Sequence, residues 1–253
     1  MQTKALDDLD LMRVHFRNEY VINSLGRIEK ANHWSSVPAA ALLFGRTTTT
    51  NLWPFGNFIS SNTRSFLNEG CRQEPLDLDS PLIFKDTYTE LIDNELGDCE
   101  VFDSWVFCQK TLPSKPENKA RIVQIATGNS HLLNKHFPAM NRYEGKVITQ
   151  DTPIFAEIVD YHAVSVCNSA RQSDLGAECY IATTETHRSL GYAKNVTKHW
   201  AEAIYNSGKL PFLNTTVDNH ATIKIANNSG FTLVGRVLRV SPRNYGEFMT
   251  TFT

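Results

Sequence analysis

GAECYIATTETHRSLGYA, residues Gly176 to Ala193, is the stretch whose reading decides the fold. Its first part, Glu178 to Thr184, reads as a strand. Its last part, Arg188-Ser189-Leu190-Gly191-Tyr192-Ala193, leads into a segment where Ala193, Val196, Thr197, Trp200, Ala201 and Ile204 recur at three- and four-residue steps, the period of an amphipathic helix. The first amides of a helix lack intrahelical acceptors and sit at the positive end of the dipole, so a diphosphate laid there meets ready donors. Gly191 and Ala193 keep bulky side chains away from that backbone, and Arg188 adds a positive charge. The stretch predicts a strand, an anion-binding loop and a helix over Gly191 to Ser207, ended by Gly208 and Pro211.

Working outward, the pattern predicts strands at Ala120 to Ile125, Ile154 to Asp160, Ala163 to Asn168, Phe212 to Thr216 and Thr232 to Val240. Helices are expected at Ser130 to His136 and at His220 to Asn228, the latter capped by Asp218 or Asn219 and stopped by Gly230. Strands joined by short turns must be antiparallel, whereas a strand reached through a long helix can be parallel. One mixed sheet with interspersed helices results.

Upstream, Leu112 to Lys119 (LPSKPENK) interrupts the apolar patterning with two prolines and marks a domain boundary. The expected organisation is a small α+β domain over residues 1–113 and an α/β domain over residues 119–253. In the first, Glu19 to Ile22 and Arg27 to Ala31 read as a hairpin turning near Gly26, with further strands at Ala40 to Phe44, Asn51 to Phe55 and Val101 to Cys108. Helices are expected at Ser61 to Glu69, closed by Gly70, and at Asp86 to Asn94.

Composition narrows the function classes. With 41 % hydrophobic and 21 % charged residues in 253, the chain can bury a core and keep a wetted surface. A formal net charge of −2 without like-sign blocks gives no footprint for nucleic acid or an anionic membrane. No stretch approaches the ~18 apolar residues of a membrane helix and the amino terminus has no apolar signal core, so a cytoplasmic location is expected. Cys71, Cys99, Cys108, Cys167 and Cys179 form no C-x-x-C pair and read as reduced packing residues. The three N-x-S/T matches at Asn195, Asn214 and Asn227 lack a secretory context.

The succession of loop, helix, Pro211-Phe212-Leu213-Asn214-Thr215-Thr216, an Asn-initiated helix and Gly230-Phe231 resembles the GNAT superfamily of acyl-coenzyme A dependent N-acyltransferases. PIFAEIVDYHAVSVCNSAR, GAECYIATTETHRSLGYA, HWAEAIYNSGKLP and TTVDNHATIKIANNSGF are similar in order and spacing to one branch, the zwittermicin A resistance type. MRVHFRNEYVINSLGRIEKAN and LLFGRTTTTNLW resemble the region preceding the catalytic domain in that branch.

The resemblance implies a GNAT fold: a mixed, mostly antiparallel sheet splayed between two parallel strands, with helices on both faces. It implies acetyl-CoA as cosubstrate, a small-molecule primary amine as acceptor, and direct transfer in a ternary complex. Arg188, Ser189, Leu190, Gly191, Tyr192 and Ala193 would hold the diphosphate. Amides of Ile181, Ala182 and Thr183 would polarise the thioester carbonyl, and Asn219 would contact the cosubstrate arm. An alkyl ammonium has a pKa of ~10 and must lose a proton before attack, and Glu178 is the candidate base. An ordinary strand-end ion pair explains the same carboxylate equally well. A helix cap likewise explains Asn219.

Where many GNAT enzymes place a proton-donating tyrosine, Ala226 stands here, and the acid is unassigned. Trp34, Trp53, Trp105 and Trp200 read as core or interface aromatics, and His187 and His199 as surface histidines without metal-ligand spacing. No metal is expected, and the sequence leaves oligomeric state open. A non-catalytic acyl-CoA-binding sensor and a peptide acetyltransferase are the alternative functions.

Overall fold

A computed structural model of the chain describes residues 6–32, 39–112, 121–141 and 152–243. Trp34 and most of the proline-containing boundary segment lie outside these residues. The chain divides into two compact units, one of residues 1–106, 215–218 and 233–253, the other of residues 107–214 and 219–232. The division does not fall at one point in the chain, because the last strand belongs with the amino-terminal residues.

In the first unit, α1 (Asp8–Glu19) is capped by the Asp7 side chain, which accepts from the Asp10 amide. The sequence reading did not anticipate this helix. β1 (Tyr20–Ile22) and β2 (Ile28–Ala31) form the expected antiparallel hairpin, and Gly26 takes φ 72° in its turn. β3 (Leu42–Arg46), β4 (Asn51–Leu52), β5 (Cys99–Cys108) and β11 (Thr232–Pro242) follow the strand order β4-β3-β11-β5. α2 (Ser61–Gln73) and α3 (Lys85–Leu96) pack on a core of Leu42, Phe44, Leu67, Tyr88, Ile92 and Leu238.

Gly70 does not end α2 as its sequence position suggested. The helix runs through it, and a Cβ there would lie 2.9 Å from the Tyr88 ring, so the glycine serves the close approach of α3. Buried Arg46 donates to the Asp77 and Ser80 carbonyls, while Arg236 grips Asp103 at 2.6 and 2.7 Å and donates to the Leu78 carbonyl. These contacts satisfy the buried guanidinium of Arg46 and hold the α2–α3 connection.

The second unit contains β6 (Ile122–Ile125), β7 (Ile154–Val159), β8 (His162–Gln172), β9 (Gly176–Thr183) and β10 (Leu210–Thr216, as far as Asn214). Their order is β10-β9-β8-β7-β6, with β10 parallel to β9 and the other neighbours antiparallel. Short turns force β7–β8 and β8–β9 to be antiparallel, whereas β6 reaches its antiparallel place beside β7 through the long connection that carries a 3-10 segment and a short helix. The parallel pair is bridged by α5 (Tyr192–Asn206), as a parallel crossover requires.

α5 turns Val196, Thr197, Trp200, Ala201 and Ile204 to the sheet, and the Trp200 indole donates to Ser169 Oγ at 3.0 Å. Burying each of its larger apolar groups contributes about 1.5–3 kcal/mol. The opposite face carries Ile125, Leu133, Met140, Ile154, Ala156 and Val166. The helix expected at Ser130 to His136 is instead a 3-10 segment, Thr127–Leu133, followed by α4 (Pro138–Asn141). Pro138 disfavours helical geometry at Phe137 and reopens the chain as a first helical residue. α6 (His220–Ser229) completes the unit, capped by Asn219 and stopped by Gly230 at φ 92°.

Candidate active site

The parallel pairing of β9 and β10 covers Gly176 with Leu210, Ala177 with Pro211 and Glu178 with Phe212, and ends there. β9 continues to Thr183. Beyond Glu178 the two strands therefore part, leaving a strip of β9 backbone without a β10 ladder.

Which amides face the strip follows from strand alternation. Thr184 N–H donates to Val164 O, and Val166 lies opposite Ala182, so the amides of Ala182 and Tyr180 are directed to β8. Those of Ile181 and Thr183 are directed the other way, into the parting. Thr183 and Ser165 are opposite each other in a non-hydrogen-bonded pair, and their hydroxyls meet at 2.7 Å, as that register requires. Of the three amides expected at the carbonyl, those of Ile181 and Thr183 face the parting and that of Ala182 belongs to the β8 ladder.

Glu178 is at the apex, on the last paired residue, and is 3 % exposed. Its Oε1 accepts from Arg171 Nη1 at 2.7 Å. Arg171 stands opposite Glu178 because β8 bulges at Ala170, shifting the register between Ser169 and Arg171. The sequence reading missed Arg171; the cross-strand pairing that creates the ion pair depends on a bulge with no sequence mark. Tyr180 lies on the same β9 face, two residues towards the parting, and burial raises its phenol above the ordinary tyrosine value. Strand alternation from Glu178 could have singled it out.

The β9–α5 connection runs from Thr184 to Gly191. Glu185–His187 forms a single 3-10 turn, Arg188 is extended, and Ser189 and Gly191 take φ 63° and 81°. Arg188, Ser189, Leu190 and Gly191 are exposed, and Tyr192 and Ala193 half-buried. No side chain caps α5 and its first turn has no acidic residue. A Cβ on Gly191 would meet no atom within 4 Å among the described residues. The helix start is thus open to solvent, uncapped and without an acidic residue in its first turn, features that an anion site needs. A diphosphate fits these residues.

Asn219 is the cap of α6, its Oδ1 accepting from Thr222 N at 3.1 Å. Ala226, in the position where a donor tyrosine was sought, is fully buried. His187 and His199 make local contacts, to Thr184, Thr186 and the Asn195 carbonyl. A separate open depression of about 610 Å³ in the first unit is lined by Asp86, Glu90 and Asp93 against the single cation Lys85, a net negative charge that disfavours a polyanion. Among the described residues no helix is long and apolar enough to cross a membrane.

The family model described as GNAT acetyltransferase matches residues 130–237. A crystal structure of a GCN5-related N-acetyltransferase-like protein from Streptococcus suis is similar at a TM-score of 0.51 and 17 % identity, over 82 % of this chain and 86 % of that one. An acetyltransferase from the GNAT family from Colwellia psychrerythraea is similar at a TM-score of 0.46 and 14 % identity, over 95 % of this chain and 98 % of that one. A GNAT-family structure from Novosphingobium aromaticivorans aligns at a TM-score of 0.45 and 13 % identity over 56 % of this chain; the chain spans 65 % of that structure's length, just under two thirds. No curated protein matches the sequence.

Proposed function

We propose that the chain, whose residues 130–237 match the GNAT acetyltransferase family model, transfers an acetyl group from acetyl-CoA to a primary amine of a small molecule, by direct attack within a ternary complex. The observation that carries this reading is the uncapped start of α5 beside the strip where β9 loses its β10 partner. The first receives a diphosphate. The second receives an extended arm ending in a thioester, with two amides aimed at its carbonyl oxygen.

In this reading the bound acetyl-CoA supplies an activated acyl group as a thioester. Amides from Ser189 to Ala193, with Arg188, hold the diphosphate, and Asn219 contacts the cosubstrate arm. The Ile181 and Thr183 amides, directed into the parting, stabilise the oxyanion that forms when nitrogen attacks. Glu178 takes the ammonium proton, directly or through a water. Arg171 fixes the carboxylate in one orientation. A thiol near the ~8.5 of cysteine leaves as thiolate with only solvent protonation. Acyltransfer of this kind calls for no metal, and a cytoplasmic setting suits both cosubstrate and reduced cysteines.

One observation favours a second reading, a non-catalytic acyl-CoA sensor: Glu178 already spends one oxygen on Arg171. Thermal unfolding with acetyl-CoA, combined with thiol release in the presence of a broad amine panel, separates the two. The transferase reading expects cosubstrate-dependent stabilisation and amine-dependent release of coenzyme A. Stabilisation without release for any amine selects the sensor, and no stabilisation at millimolar acetyl-CoA refutes both.

A further inference from the structure

The end of the second unit at which β9 passes into α5 carries side chains that the transfer chemistry does not use. β7 and β8 are joined by a two-residue turn, Asp160-Tyr161, with Val159 opposite His162. Both turn residues have positive φ, 48° and 64°. That geometry is the one Asn-Gly normally fills, and a tyrosine held in it costs on the order of 1 kcal/mol. Tyr161 is 87 % exposed, so core packing does not compensate.

Three histidines adjoin the turn. The His162 ring meets His136, from the segment between the 3-10 turn and α4, edge-on with centroids 6.2 Å apart. β8 runs antiparallel to β9, so its first residues lie beside the β9–α5 connection, which carries His187. Thr184 and Thr186 hydroxyls hold His187 Nδ1 at 2.9 and 3.0 Å, which directs Nε2 to other partners. The His187 ring also stacks on Tyr192, the first residue of α5, at 6.3 Å. His136 is driven below the ordinary histidine value by burial, then by Lys135, His162 and His187. Lys135, His162 and His187 all act on it in the same direction, while Asp160 and Glu185 stand two residues before His162 and His187 in the chain. A group that repels its own charge in this way is relieved by an anion.

We propose that Tyr161, His136, His162 and His187 form a subsite for the 3′-phosphoadenosine end of a coenzyme A ester, the imidazoles holding the 3′-phosphate and the Tyr161 ring stacking on adenine. The inference rests on the reading that Ser189 to Ala193 binds the diphosphate. In coenzyme A one ribose bears both the 5′-diphosphate and the 3′-phosphate, so anchoring the first at α5 brings the second to the connection that leads into it. Imidazolium donors to phosphate make charge-assisted hydrogen bonds, and an aromatic face accepts any base. Because a phosphate dianion favours protonated imidazoles, binding takes up protons and strengthens as pH falls.

Acetyl-CoA and acetyl-3′-dephospho-CoA, titrated calorimetrically into the full chain in buffers of differing ionisation enthalpy, provide the test. Acetyl-CoA should bind about tenfold more tightly near pH 6, with the advantage shrinking towards about pH 8, and it alone should take up protons. His136→Asn with His162→Asn should abolish the advantage and leave dephospho-ester affinity unchanged. Tyr161→Gly, which relaxes the turn and should raise the melting temperature, should weaken both esters alike by about fivefold or more. Equal affinity of the wild type for both esters at both pH values overturns the phosphate subsite while leaving the acyl-CoA reading intact. No effect of Tyr161→Gly overturns the adenine contact, and failure of either ester to bind overturns the subsite together with the reading beneath it.

Discussion

Alanine at Gly191 separates ligand binding from fold stability, because α5 carries its own control at the other end. Gly191 and Gly208 both take left-handed backbone, φ 81° and 84°, and at both a Cβ would meet nothing within 4 Å among the described residues. Alanine at either position therefore incurs the same penalty, the left-handed conformation of a non-glycine residue, about 1–2 kcal/mol. For a chain of this length each kcal/mol lowers the melting temperature by about 2–4 °C, so both variants should melt roughly 2–8 °C below wild type. In the proposed binding mode only Gly191 lies where phosphate oxygens approach the backbone. Losing or displacing one charge-assisted amide contact is worth about 1.5–3 kcal/mol, or roughly 10–100-fold in affinity. Calorimetric titration of acetyl-CoA into the two variants should show that loss for Gly191→Ala and wild-type affinity for Gly208→Ala. Equal affinities in the two variants would refute the placement of the diphosphate at the start of α5.

Other outcomes follow from the same geometry. Glu178→Gln should keep acetyl-CoA affinity within about twofold and lower the transfer rate by about 100-fold or more, measured by thiol release, if the carboxylate serves as base. Arg171→Met removes the cation from a buried carboxylate and should destabilise the fold by about 3–5 kcal/mol in urea titration. Gly70→Ala places a methyl 2.9 Å from the Tyr88 ring and should cost about 1–3 kcal/mol by the same measure. Burial pushes the Cys71 and Cys99 thiols up to about 12 from an ordinary value of 9.0. The folded chain therefore keeps protons that the unfolded chain releases, so this contribution to stability is present in full below about pH 9 and declines as pH rises towards 12. Denaturant midpoints across that range should fall with increasing pH.

Elements with a clean period were legible in the sequence, and the differences have local causes. α5 announced itself because its apolar residues form one uninterrupted stripe, and Gly208 and Pro211 mark its end. α1 did not, because His15, Asn18 and Glu19 are buried alongside Leu11, Met12 and Phe16, and polar residues on the inner face erase the period. Gly70 looked like a stop signal since sequence cannot tell a glycine that ends a helix from one that admits a neighbouring ring. At the candidate site, the strand, loop and helix over Gly176 to Asn206 were legible from composition and order. The strand edge that each amide of Ile181, Ala182 and Thr183 faces was not, since it depends on the pairing register. Arg171 was invisible for a related reason: only the bulge at Ala170 brings it opposite Glu178.

Backbone amide NMR shifts during titration with acetyl-CoA read the proposed contacts atom by atom. Amides of Ser189 to Ala193 should move with those of Ile181 and Thr183, while Ala182, whose N–H is directed to β8, moves less. Saturable binding with those resonances unmoved, and shifts gathered on another face of the chain, would contradict the account.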